Sequence, residues 1–168
     1  MVMQFGRIWR HIVATRHGMR RAFPDATLRA IEEAVRAGER LHEGQVRFAV
    51  ETELGWQELF QGRTPRERAI EVFSLLRVWD TERNNGVLIY VLFADHGVEI
   101  VADRGFTDRL DTAAWEAICV QMRTRFARGE FEAGALAGVA AVNRLMAAHF
   151  PATGGRGRDE MPDRPVIL

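Results

Sequence analysis

Lysine is absent from this sequence; every one of its 23 basic residues is arginine, which reads as base composition rather than function. Cysteine occurs once, at Cys119, so no internal disulfide can form and a reducing, cytoplasmic setting is expected. Serine also occurs once. Ser74 lies in a helix-like stretch without the flanking glycines of a Gly-x-Ser-x-Gly nucleophile, which argues against serine hydrolysis. His11, His17, His42, His96 and His149 form no His-x-x-x-His pair and there is no Cys-x-x-Cys, so no zinc site is expected. No apolar run approaches the ~18–20 residues of a spanning helix. Residues 133–142 come closest and stop at Asn143-Arg144; their Gly134 and Gly138 read as close packing on a sheet rather than membrane pairing. The N-terminus lacks the apolar core and small-residue cleavage site of a secretory signal.

What is present fits one domain: 168 residues, 47% apolar, with zero net charge and hence no overall field toward nucleic acid. The charge is unevenly placed. Arg7, Arg10, Arg16, Arg20 and Arg21 precede the first acid, Asp25, so the balance after residue 23 is acidic.

The periodicity predicts helices and strands in the order ααβαββαα. Residues 4–17 make an amphipathic helix with Phe5, Ile8, Trp9 and Ile12 on one stripe. Pro24-Asp25 opens a second, with Leu28, Ile31, Ala34 and Val35 facing inward. Residues 45–53 alternate as a strand, and residues 55–62 form a loop carrying Trp56 and Phe60. Thr64-Pro65-Arg66-Glu67 is a helix start with a capping box. Residues 87–94 and 98–102 read as a hairpin turning at Asp95-His96-Gly97. A helix capped at Asp111 or Thr112 buries Trp115, Ile118, Cys119, Met122 and Phe126, and a last helix spans 132–149. The expected organisation is a basic helix at 1–23, an α/β domain at 24–150 with helices on both faces of a small mixed sheet, and a mobile tail at 151–168.

An antiparallel hairpin brings the start of its first strand beside the end of its second. Asp80, Glu82, Asn84 and Asn85 are therefore expected near Asp103, and oxygens converging at a sheet edge suit a hard cation, calcium or magnesium. The loop is no EF-hand, because its glycine falls one place late and Val91 stands where the bidentate Glu belongs. The competing reading is purely conformational: Asp80 caps a turn, and Asn84-Asn85-Gly86 supply left-handed backbone into the strand. Cys119 and Arg125 have cysteine-phosphatase spacing, but they sit in a helix without glycine, so Cys119 is expected in the core.

This stretch resembles the TPM domain. The resemblance is carried by Asn85-Gly86-Val87-Leu88-Ile89, by Asp95-His96-Gly97-Val98-Glu99-Ile100, and by Asp103-Arg104-Gly105-Phe106. It continues through Phe126, Gly129, Glu130 and Phe131 to Gly134-Ala135-Leu136, so that residues 42–150 are covered. It implies a three-layer α/β/α sandwich, calcium binding in some members and an acid phosphatase activity in some plastid members. Asp103 stands where many members have Gly, and Thr107 where many have Glu, so the family's metal shell does not carry over unchanged.

The expected function is that of a divalent-metal-binding accessory or interaction module with a protein partner. It would work in the cytoplasm, including at the inner membrane surface. The alternative is a metal-dependent hydrolase of phosphate monoesters, with Arg83 and Arg104 on the phosphate and His42 as acid/base. The basic helix has three readings: it packs on its own domain, or Phe5, Arg7, Ile8, Trp9 and Arg10 form a membrane surface or a partner surface. No nucleic-acid motif accompanies it.

Overall fold

A computed structural model describes residues 6–7, 9–11, 14–153 and 161–168. The first described residues are helical, and Phe5 and Ile8 lie outside the described residues. Helices α1 (Arg16–Ala22) and α2 (Asp25–Gly38) precede strand β1 (Gln45–Glu51). A short helix α3 (Trp56–Phe60) and α4 (Pro65–Leu75) lead to β2 (Gly86–Leu92) and β3 (Gly97–Ala102). Helices α5 (Thr112–Phe126) and α6 (Phe131–His149) follow, and β4 (Val166–Ile167) closes the chain.

The sheet order is β3-β2-β1-β4. β1 runs parallel to β2 and β4, and β3 is antiparallel to β2. Side chains alternate across the pleat, so two cores form. Val46, Phe48, Val50, Val87, Ile89 and Val91 face α1, α2, α5 and α6. Ala49, Leu88, Tyr90 and Leu92 face Ala69, Val72 and Phe73 of α4. The fold is the expected α/β/α sandwich, with β2 buried along its whole length. Thr64 accepts from the Glu67 N–H at the start of α4, closing the predicted capping box.

Three expectations change. The hairpin begins to turn two residues earlier, through a 3-10 turn at Phe93–Asp95 with His96 in the left-handed region at φ 48°. Gly134 and Gly138 pack on α5 rather than on the sheet; a Cβ at Gly138 would lie 2.2 Å from the Met122 sulfur. Residues 161–168 were expected in a mobile tail, yet they run along β1, with Ala49 paired to Val166 and Val50 to Ile167. Side chains far away in sequence hold them there: Gln45 Oε1 accepts from Met161 N, Arg47 donates to the Pro162 and Arg164 carbonyls, and Arg36 Nε lies 2.8 Å from Asp163 Oδ2.

The opposite edge is closed differently. Arg66 donates to the Ile100 carbonyl at 2.6 Å and Arg123 to the Val98 carbonyl at 3.1 Å, so guanidinium groups occupy outward positions of β3.

Candidate functional site

The loops expected to act lie together where β1 and β2 begin and β3 ends. Left-handed backbone at Arg77 and Asn84, both φ 53°, folds residues 77–86 into successive turns. Asn85 is buried: its backbone N–H donates to Thr81 Oγ1, and its side-chain amide donates to the Glu43 carbonyl at 3.0 Å. Gly86 is required by contact, since a Cβ there would sit 1.9 Å from the Val78 carbonyl oxygen. The ladder then continues into the facing loop, where Asp103 N donates to Gly86 O and Gly105 N to Asn84 O.

The structure does bring Asn84 toward Asp103. Arg104 Nε donates to Asn84 Oδ1 at 2.8 Å, so that oxygen is already engaged. Asp103 accepts from the Arg104 N–H through Oδ1, whereas its Oδ2 is buried without a hydrogen-bond partner. Asp80 and Glu82 are exposed on the outer limb of their loop. Among the described residues no three His, Cys, Asp or Glu side chains are grouped to hold a metal ion. The five predicted donors thus form no closed shell. One of them, Asp103, keeps a buried oxygen without a hydrogen-bond partner.

Asp103 also borders a cleft of about 340 Å³ between β3 and α5, with Glu99, Glu116 and Arg66 at its rim and Phe106 and Trp115 in its floor. Burial raises the Glu99 carboxyl above its ordinary value, against the lowering effect of Arg66 and Arg123. A second cleft, of about 470 Å³, is lined by Glu43, Arg83, Arg109, His149 and Thr153. Arg83 pairs with Glu43, which also accepts from the Thr153 hydroxyl, and Arg109 stacks over the Phe150 ring while donating to the His149 carbonyl.

His42 is a correction. It is not a loop residue open to substrate but a core histidine, 2% exposed, between the Gly44 carbonyl and Asn143 Oδ1, each at 3.1 Å. Asn143 in turn donates to the Ala34 carbonyl, which orients its oxygen toward the ring. Burial holds the imidazole below its ordinary pKa, although both neighbouring acceptors favour the charged form. Ser74 is exposed, but its hydroxyl donates to Ile70 O within its own helix. Cys119 is enclosed, and burial pushes its thiol up to about 11.

The basic segment packs on its own domain, the first of its three readings. Arg7 and Arg10 both reach Asp95 at the hairpin tip, at 2.8 and 3.3 Å. His11 is buried beside them: Leu54 N–H donates to its Nδ1, leaving Nε2 3.3 Å from Asp95 Oδ2. Burial alone would raise the Asp95 carboxyl; the His11 and Arg7 hydrogen bonds outweigh it and bring the pKa to about 2. Trp9 stays exposed.

One buried charged group was not anticipated. Glu51, at the end of β1, accepts two bonds from Arg68 and one from the Tyr90 hydroxyl. An acid closing an apolar strand was the available signal. The neighbouring ion pairs raise the Arg68 pKa, and burial raises that of Tyr90, so both stay protonated and the cluster ties α4 to the sheet.

The TPM domain matches residues 18–145. The chain belongs to the TPM-domain family. A solved relative, the BA42 protein from the psychrophilic bacterium Bizionia argentinensis, known from an NMR structure, shares 27% identity with a TM-score of 0.70. That similarity covers 85% of this chain and 93% of the BA42 chain. No curated protein sequence matches the chain. The matched span leaves out Arg7, Arg10 and His11, which contact Asp95, and the 161–168 segment. No helix among the described residues is long and apolar enough to cross a membrane.

Proposed function

We propose that this TPM domain is a binding module whose loop edge takes one hard divalent cation, calcium or magnesium, with Asp103 as its carboxylate. The observation that carries the reading is the buried Asp103 Oδ2 without a donor. Leaving such an oxygen unsatisfied costs about 1–3 kcal/mol, and a cation relieves that cost. Backbone carbonyls of the adjoining loop and water complete an open shell, while Asn84 and Asn85 hold the loops in register. Asp80 and Glu82 add negative charge at the rim.

Calcium titrated into isotopically labelled protein tests this. Localised amide shifts in residues 80–86 and 103–105 at up to low-millimolar metal, abolished by Asp103→Asn, support it. Silence over that range makes the loops structural and leaves a metal-free interaction domain.

The hydrolase alternative comes from the family resemblance. At this edge Arg83 is bound to Glu43 and Arg104 to Asn84, and His42 is enclosed, so no side chain is set to transfer a proton or attack phosphorus. Turnover of a generic phosphate ester above the buffer rate, lost in Asp103→Asn with the fold intact, would favour the enzyme. A protein partner would find its apolar contact at Trp56 and Phe60, which stack on each other while both are exposed. A membrane surface would meet Trp9 and the exposed side of Arg10.

A further inference from the structure

Strand β1 has β2 on one flank, and its other flank is filled by residues 161–168 in an extended run parallel to it. The fit has the character of peptide recognition by strand addition. Main-chain groups are engaged at intervals, while alternate side chains enter separate environments. At the entrance, Gln45 Oε1 receives the Met161 N–H, and the Met161 side chain is buried in the α4-side core. In the middle, Arg47 grips the carbonyls of Pro162 and Arg164, and Arg36 of α2 takes Asp163. At the far end the ladder is regular, with Leu168 N donating to Val50 O at 2.9 Å. Pro165 is buried between the two halves.

We propose that the flank of β1 is a binding groove for an extended segment, and that its partner in trans is the 161–168 segment of a second copy of this chain. Three observations support exchange. Among the described residues the segment's polar contacts are to β1 and α2, and the regular ladder spans only two residue pairs. Charge complementarity selects the segment: Arg36 and Arg47 face Asp163, the segment's buried carboxylate, 9% exposed. The segment is joined to the rest of the chain through the seven residues Gly154-Gly155-Arg156-Gly157-Arg158-Asp159-Glu160, a covalent tether in the sequence. Within one chain that tether gives the intramolecular contact a high effective concentration, so exchange emerges when the intramolecular contact is weakened.

Two full-length charge-reversed variants make the test. R36D sets two carboxylates together in its own groove, and D163R sets its segment against Arg36 and Arg47. Mixed, the intact segment of R36D meets the intact groove of D163R, and the reversed pair is complementary as well. Sedimentation should show monomers for each variant alone and a one-to-one dimer of doubled mass in the mixture. A mixture that sediments as two monomers, both retaining their native circular dichroism, overturns the proposal. If a reversal prevents folding, full-length D163N with a synthetic 161–168 peptide replaces it. Amide shifts along β1 then support the groove, and an unshifted spectrum at millimolar peptide overturns it.

Discussion

Arg7 and Asp95 are 88 positions apart in the chain and 2.8 Å apart in the fold. Arg10 and His11 converge on the same carboxylate, so one acid at a hairpin tip anchors the basic segment. The folded carboxyl, at about 2, lies below the ordinary 3.8. Its stabilisation is therefore complete above pH 3.8 and is lost as pH falls through that value toward 2. The shift corresponds to about 2 kcal/mol. Asp95→Asn should lower stability by about that amount at pH 7, in urea titrations, and should remove this acid-limb dependence.

His42 gives a pH effect in a higher window. Its folded pKa lies below the ordinary 6.5, so the unfolded chain binds the proton more readily. The contribution is fully present above pH 6.5 and declines as pH falls below it. His42→Gln should flatten the stability profile below pH 6.5 relative to the parent. An unchanged slope would mean that the two carbonyl neighbours compensate the burial.

Gly86→Ala places a Cβ against backbone, 1.9 Å from Val78 O, where no side-chain rotation gives relief. A loss of about 1–3 kcal/mol is expected from the denaturant midpoint. Gly97→Ala is the control: its nearest neighbours lie at 3.7 Å, an ordinary contact, and it should change stability by less than about 0.5 kcal/mol.

Cys119 should resist thiol reagents in the folded protein, because it is buried and its thiol is pushed up to about 11. Labelling with a maleimide should become rapid only in denaturant. Rapid labelling of native protein would show that the cleft beside α5 opens to admit the reagent.

Much of this fold could be read from periodicity. The stripe Trp115, Ile118, Cys119, Met122 and Phe126 is the buried face of α5, and Thr64 and Glu67 cap α4 as expected. Those features depend on neighbours three or four positions away. The docked ends escaped the same reading because their partners are remote. Arg7 had no visible partner in the sequence until Asp95 supplied a carboxylate, and residues 161–168 looked mobile until Gln45, Arg47 and Arg36 supplied contacts. At the loop edge the hairpin argument correctly joined Asn84 to the Asp103 loop. It had no means of seeing that Arg104 would take the Asn84 oxygen, or that Thr81 and Asn85 would close the loop on itself.

The guanidinium groups of Arg66 and Arg123 on β3 bear on what any assembly of this chain can become. A sheet with two receptive borders can grow without end, each added strand offering the next. Here two carbonyls of one border, those of Val98 and Ile100, are already taken, and the flank of β1 accepts a single strand. Two chains trading residues 161–168 would use each groove and each segment once. Exchange of this kind is reciprocal, so association by this route closes as a pair rather than running on into a fibre.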